Sequence, residues 1–292
     1  MKPAPFAYAA PTTTAEVLAL LAQHGADARI LAGGQTLGPM LNMRIATPRL
    51  VIDVNRLADL KAPAPAARTV MTHALLRQRD ALENAALGAD VPLLAMAMPY
   101  VGHYQTRNRG TVCGSIAHAD PTAELPLILL TLGGWVHLAS ARTSRKVAAA
   151  DFFLGPLTTD RGEDEMIVAA EWPTAAPGMR FAFREIGAHN SHSALSACAV
   201  GARLDDAGLV QDLAIGITAI SDRPVLLDTW RFLNARNDPA WRRSIAEAAR
   251  ATLEFVDDLH ASSHYRRHVT GLLIERCLAD IARDDTAEAR SA

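Results

Sequence analysis

The sequence predicts an α+β fold, and three observations carry that reading. Helix-like and strand-like patterns are mixed along the 292 residues without the strict alternation of a doubly wound sheet. Between Thr13 and Val54 a helix, a strand, a glycine loop and a second strand follow in turn. Farther on, ARL-DDAG-LVQDLAIGITAI sets an Asp/Gly turn between two apolar runs, the mark of an antiparallel hairpin.

Each element has its own local signal. Thr13 stands three residues ahead of Glu16, a capping box. Val17, Leu18, Leu20 and Leu21 line one face of the helix it opens, and Gly25 is placed to close it. ARILA at 28–32 is short and apolar, a buried strand running into Gly33 and Gly34, and LVIDV at 50–54 is another strand. APAPAAR at 62–68 is a loop or an edge, and the Ala/Leu/Met-rich residues 80–98 read as helical. A helix starts near Pro121, with Glu124 in its first turn and ELPLILLTL behind it. WVHLAS, RKVAAADFF and EDEMIVAAEWP read as sheet strands, and Pro173 with the APG at 176–178 marks a boundary. MRFAFREIG and LSACAVGARL are strands beyond it, and the chain from Trp230 on is helical and charged.

Half of the residues are hydrophobic, ample for one large core or several linked ones. A net charge of -2 lacks the basic footprint of a nucleic-acid binder, so no nucleic-acid partner is expected. The longest apolar stretch, LPLILLTLGGWVHLA, is broken by Gly133 and Gly134 and is too short to span a bilayer, so no membrane insertion is expected. MKPAPFAYAAPTTT lacks the continuous apolar core of a signal peptide. Cys113, Cys198 and Cys277 are far apart and form no CxxC pair, so neither disulfides nor a cluster or zinc site are supported, and a cytoplasmic location is expected.

Two polar runs interrupt this apolar chain: LAGGQTLGP at 31–39 and RNRGTVCGSIAHADPTAELP at 107–126. Without Cβ atoms, Gly33 and Gly34 can bring backbone amides close to a ligand, and successive amides turned to one side make an anion nest suited to a pyrophosphate. Gln35 and Thr36 add side-chain donors, and Gly110, Thr111, Gly114 and Ser115 repeat the chemistry. A tight turn is the commoner reason for a lone Gly-Gly, and RNRGT alone is as readily a surface turn. Neither GxGxxG nor GxxxxGK[ST] is present. His118 and Asp120 read as a metal pair, an acid/base couple or a structural hydrogen bond, with no third ligand at useful spacing. His103, His189 and His192 are isolated, and Ser191, Ser193 and Ser196 lie near His192 without the G-x-S-x-G elbow of a hydrolase.

The two runs, AGGQTLGPMLNMRIATPRLVIDV and RNRGTVCGSIAHADPTAELP, together with ASSHYRRHVTGLL at 261–273, resemble the FAD-binding medium subunit of the molybdenum hydroxylases. That family includes xanthine dehydrogenase, carbon monoxide dehydrogenase and quinoline oxidoreductase. The resemblance implies a vanillyl-alcohol-oxidase-type (PCMH) FAD-binding domain at 1–175, with subdomains of about 1–57 and 58–175, and a carbon-monoxide-dehydrogenase-flavoprotein-like C-terminal domain at 176–292. By position, Ala32, Gly33, Gly34, Gln35 and Thr36 would wrap the pyrophosphate, with Arg29, Ile30 and Leu31 alongside. Thr111, Gly114 and Ser115 would close on it from the second run, with His118 near the flavin end. Glu124 matches an acidic position that binds ribose hydroxyls, and Ile167 a strand position whose backbone meets the adenine or flavin edge.

Two positions depart from the family. Cys113 stands where TxGGSxAHADPAAE usually has Gly, which removes φ freedom and puts a thiol near the cofactor. Ser193 replaces the Tyr of RxGDYA beside the isoalloxazine, which leaves Tyr100, Tyr104 or nothing to shield the flavin. The resemblance implies an electron-transfer subunit. A large subunit would hold the molybdenum cofactor and hydroxylate the substrate, an N-heteroaromatic compound. Two [2Fe–2S] clusters of a small subunit would pass electrons to FAD in this chain, and FAD to an external acceptor. The expected assembly is a dimer of heterotrimers, and no catalytic residue or metal ligand is assigned to this chain. A stand-alone FAD oxidase or dehydrogenase is one alternative; a flavin-free scaffold, kept open by Cys113 and Ser193, is the other.

Overall fold

The computed structural model describes residues 2–60, 62–188 and 193–288 and has the α+β architecture expected from the patterns. The chain opens with β1 (Ala7–Ala9), α1 (Thr14–His24), β2 (Ala28–Leu31), α2 (Leu37–Asn42) and β3 (Leu50–Asp53). The strands form a parallel sheet in the order β1-β3-β2. The capping box is present: the Thr13 hydroxyl accepts from the Glu16 amide at 3.3 Å, and the Glu16 carboxylate accepts from the Thr12 and Thr13 amides at 2.9 and 3.2 Å. Gly25, at φ 46°, ends the helix as expected. Val17 and Leu21 of α1 share a core with Leu50 and Ile52 of β3.

Next come β4 (Thr69–His73), α3 (Gln78–Glu83), α4 (Ala85–Asp90), α5 (Pro92–Ala97), α6 (Tyr104–Arg107), α7 (Val112–His118) and α8 (Glu124–Thr131). The helix expected over 80–98 is three short ones. Asn84 caps α4 by accepting from the Leu87 amide at 3.0 Å, and Pro92 cannot continue a helix and instead starts α5. β5 (Trp135–Ala139), β6 (Ser144–Ala148), α9 (Ala149–Phe152), β7 (Phe153–Gly155), β8 (Thr158–Thr159) and β9 (Met166–Pro173) follow. RKVAAADFF is therefore split: its middle turns through α9, where Ala149 and Phe152 bury into the core. The antiparallel sheet β4-β9-β5-β6 has β9 inside it, which is why IVAAEW is continuously apolar but for Glu171.

The last part contains β10 (Met179–Gly187), β11 (Ala194–Leu204), β12 (Val210–Thr218), β13 (Val225–Leu226), α10 (Pro239–Thr252) and α11 (Ser263–Glu288). The strands form an antiparallel sheet in chain order, with the expected hairpin between β11 and β12. Side chains alternate across it. Phe181, Phe183, Ala197 and Ala199 face the core shared with α5 and α8; Ala182, Cys198, Val200, Ile215 and Ile217 face α10 and α11. Every residue of α8 is buried, since it packs between the last sheet and the helices before it. Gly216 of β12 makes that contact possible, because a Cβ there would strike the Thr131 hydroxyl and come within 2.9 Å of Leu127.

The late motif ASSHYRRHVTGLL has a structural explanation. Arg266 is 2 % exposed, donates to the carbonyls of Leu195 (3.1 Å) and Ala219, and pairs with Asp258. No helix among the described residues is long and apolar enough to cross a membrane. Replacing Gly216 with Val overpacks the α8–β12 contact, and about 1–3 kcal/mol of stability is lost. A urea unfolding midpoint equal to that of the parent chain would contradict this.

Candidate functional site

The two polar runs meet. Gly33 lies so close to the second run that a Cβ would come within 2.5 Å of the Arg109 carbonyl oxygen and 2.7 Å of the Gly110 Cα. Gly34 sits at φ 70°, a conformation other residues rarely adopt. Side chains hold the junction: Asn55 donates to the Ala32 carbonyl (2.8 Å) and accepts from Arg77 (2.6 Å), and Arg77 also donates to the Arg109 carbonyl. From behind, the Gln78 amide donates to the Gly110 carbonyl (2.9 Å) and the Val112 amide to Leu76 (3.0 Å).

The second run is a helix start rather than a loop, which corrects the sequence reading. Thr111 caps α7 by accepting from the Gly114 amide at 3.0 Å, so Gly114, Ser115 and His118 lie on α7. A Cβ on Gly114 would sit 2.6 Å from that capping hydroxyl; the glycine protects the cap rather than empty phosphate space. Cys113 in the first turn of α7 needs no φ freedom, contrary to expectation. Its thiol is buried against the Thr72 carbonyl at 3.5 Å, and burial pushes it up to about 12, so it is neutral and inert.

The junction walls a cleft of about 880 Å³, toward the upper end of roughly 300–1,000 Å³ for small-molecule sites. Arg29, Ile30, Ala32, Gly33, Gly34, Gln35 and Thr36 line it from the first run. Thr111, Gly114, Ser115, His118 and Glu124 line it from the second, with Ile167 of β9. Leu31 is the exception: it ends β2, its carbonyl accepts from the Val54 amide at 3.1 Å, and it does not line the cleft. Gln35 spends one donor on the Gly33 carbonyl at 3.1 Å. Ser193 lines the cleft; Tyr100 packs edge-on against Phe183 and, like Tyr104, does not, so neither shields it. His189, Ser191 and His192 lie outside the described residues. Ser196 is buried on Thr270 at 2.8 Å and serves the core.

Charge in the cleft is uneven. Arg29 and Arg161 supply cations near Gly25, with the Glu163 carboxylate beside them, whereas Asp120 and Glu124 line the part closest to Glu185. Asp120 accepts from the Thr122 amide and hydroxyl at 2.8 and 2.7 Å, a local turn that resolves the His-Ala-Asp motif as structural. Burial holds His118 below its ordinary value although Asp120 pulls the other way. Burial raises Glu124 to about 7 and, with the Glu124 charge, Glu185 to about 8. One Glu185 oxygen is buried with no partner among the described residues. Among the described residues no group of three His, Cys, Asp or Glu is arranged to hold a metal ion. Sequence reasoning did not assign Gln78 or Arg161 to the site; the turn TTDRGED carries no motif that would have marked Arg161.

Amides, hydroxyls and two arginines along an elongated wall suit a dianionic dinucleotide, and backbone approach at Gly33 and Gly34 suits its phosphates. The fold and the cleft thus define a protein built to hold a dinucleotide. The family described as "FAD binding domain in molybdopterin dehydrogenase" matches residues 4–175, and "CO dehydrogenase flavoprotein C-terminal domain" matches 181–281. The 6-hydroxypseudooxynicotine dehydrogenase complex subunit alpha of Paenarthrobacter nicotinovorans is 33% identical over 96% of this chain and 95% of its own. The structure of carbon monoxide dehydrogenase from Hydrogenophaga pseudoflava lacking the Mo-pyranopterin moiety of the molybdenum cofactor superposes with a TM-score of 0.91 at 31% identity, covering 96% of this chain and 98% of that one. Quinoline 2-oxidoreductase from Pseudomonas putida 86 superposes with a TM-score of 0.90 at 30% identity, covering 97% and 99%. The chain belongs to the FAD-binding medium subunits of the molybdenum hydroxylases, and it is an oxidoreductase subunit.

Two predictions follow from the geometry. Gly33→Val forces the two runs apart, and FAD affinity falls at least about tenfold while far-ultraviolet circular dichroism is unchanged; a folded variant with parental affinity would disprove the junction. The folded chain also binds more protons than the unfolded one wherever Glu124 and Glu185 stay protonated above their ordinary value of 4.5. The stability they contribute is full below that value and is lost as pH rises through about 7 and about 8. Glu185→Gln should flatten that decline in urea midpoints measured between about pH 5 and pH 9; an unchanged slope would count against it.

Proposed function

We propose that this chain is the electron-transfer subunit of a molybdenum hydroxylase complex. Its partners are a large subunit carrying the molybdenum cofactor and a small subunit carrying two [2Fe–2S] clusters. Three subunits form a heterotrimer that pairs into a dimer of heterotrimers in the cytoplasm. The domain limits proposed are 1–175, in subdomains of about 1–57 and 58–175, and 176–292.

One observation carries the reading: the cleft is built to hold a cofactor and offers little to transform a substrate. The Asp120 carboxylate is taken up by Thr122, and the Cys113 thiol is held protonated by burial. Bound FAD supplies the redox chemistry, as cofactors do. In this reading Ala32, Gly33, Gly34 and Thr36 hold the diphosphate by backbone amides and the Thr36 hydroxyl, with Arg29, Ile30 and Gln35 beside them. Thr111, Gly114 and Ser115 close the other wall, His118 lies toward the flavin end, Glu124 meets ribose hydroxyls and Ile167 bounds a ring edge. Ser193, small where the family has Tyr, leaves the flavin open to an external acceptor.

The substrate is proposed to be an N-heteroaromatic compound, hydroxylated at the large subunit. Two of the relatives above are named for such compounds, 6-hydroxypseudooxynicotine and quinoline, which supports the assignment.

Purification of the chain with and without its co-expressed partners tests the function. The chain alone should release about one FAD on denaturation and stay oxidised when mixed with substrate. The complex should show iron–sulfur absorbance and lose flavin absorbance with an N-heteroaromatic substrate. Flavin reduction by substrate in the isolated chain would make it a stand-alone dehydrogenase, and a chain that takes up no FAD would end the proposal.

A further inference from the structure

The turn TTDRGED, which no sequence motif marks, lines the cleft with an acid, Glu163, and a cation, Arg161. The Arg161 Nη1 donates to the carbonyls of Gly162 (2.7 Å) and Glu165 (2.8 Å), which fixes the plane of the guanidinium. The turn that carries those carbonyls is braced by the Glu165 carboxylate. Glu165 accepts a bidentate pair from Arg145 at 2.7 and 2.8 Å and the Gly162 amide at 2.7 Å. The other guanidinium N–H groups of Arg161 have no hydrogen bond to the described residues, and the side chain lines the cleft. Arg29 is anchored the same way, by Nη1 to the Ala26 and Ala28 carbonyls at 2.8 Å each, and lines the same cleft.

Burial and then the Arg29 charge hold Arg161 below its ordinary value, and Glu165, already paired with Arg145, and then Glu163 offset this only in part. An anion between the two guanidiniums would relieve that repulsion. Elsewhere the cleft is lined by no Arg or Lys among the described residues, and its imidazole and carboxyl groups there are His118, Asp120 and Glu124. A dinucleotide whose diphosphate sits on Gly33–Thr36 sends one half toward each region. Charge favours the AMP half at the arginines, where a fixed guanidinium can pair with phosphate or stack on the purine face. The isoalloxazine then falls toward the acidic part, near Ser193.

We propose that Arg161 binds the AMP half of the FAD and gives this chain its preference for FAD over FMN, which lacks that half. The proposal rests on the FAD reading of the site. The full chain, freed of flavin, is titrated with FAD and with FMN by quenching of flavin fluorescence. Arg161→Gln should weaken FAD about tenfold, the factor for one lost charge-assisted contact, and leave FMN unchanged. Equal losses for both flavins would mean that Arg161 only braces its turn, and parental FAD affinity would mean that it makes no contact; either result overturns the proposal. The unmodified chain supplies a second test through modification of its arginines by phenylglyoxal, read by peptide mass spectrometry. AMP should protect Arg161 and riboflavin should not, and modification undiminished by AMP would overturn the proposal. A parent chain that binds FAD beside an indifferent variant fails this inference alone; a parent chain that binds no FAD fails the family function as well.

Discussion

The site depends on one close backbone contact, that of Gly33 with the peptide between Arg109 and Gly110. Two segments some seventy-five residues apart in the chain share a wall only because Gly33 carries no side chain at the point of approach. The contact is too tight to rely on dispersion alone, and the Asn55–Arg77 bridge between the Ala32 and Arg109 carbonyls holds it laterally. The wall of the cleft is therefore shaped by the chain's own contacts. Preorganisation of this kind removes an ordering cost that binding would otherwise have to overcome.

The same economy explains why glycines in the second run are not where nucleotide motifs lead one to look for them. Gly114 spares a helix cap and Gly33 spares a backbone contact; only Gly34 is required for its own left-handed conformation. Cys113 fits for a complementary reason. Its position faces the interior on α7, so a small apolar side chain is accepted there without cost to the backbone.

How much was legible in the sequence follows the range of the interactions involved. The capping box at Thr13, the Gly25 terminator and the β11–β12 hairpin are set by residues within a few positions of one another, and all were readable. α7 was not: VCGSIAH has weak helix formers, and its start depends on a cap and on packing against β4 and β9. The breaks at Asn84 and Pro92 carried local signals that the apolar composition of 80–98 hid. At the site, the glycines and hydroxyls were visible as composition and their pairing into one cleft came from resemblance. Arg161 and Gln78 were invisible, because their roles arise from where distant strands bring their turns.

α8 has no face toward water, and the core that surrounds it takes in Phe181, Phe183 and Ala199 of the last sheet as well as Ile52 and Trp172 of the earlier ones. The Pro121 carbonyl at its entry accepts from the Ala219 amide and the Thr218 hydroxyl at 2.9 and 2.6 Å, which sews the same junction from outside. No water-lubricated plane passes along this helix on which the parts could shear. Because both parts of the chain bury the same helix, loosening either one exposes it, and the two are expected to unfold in a single cooperative step.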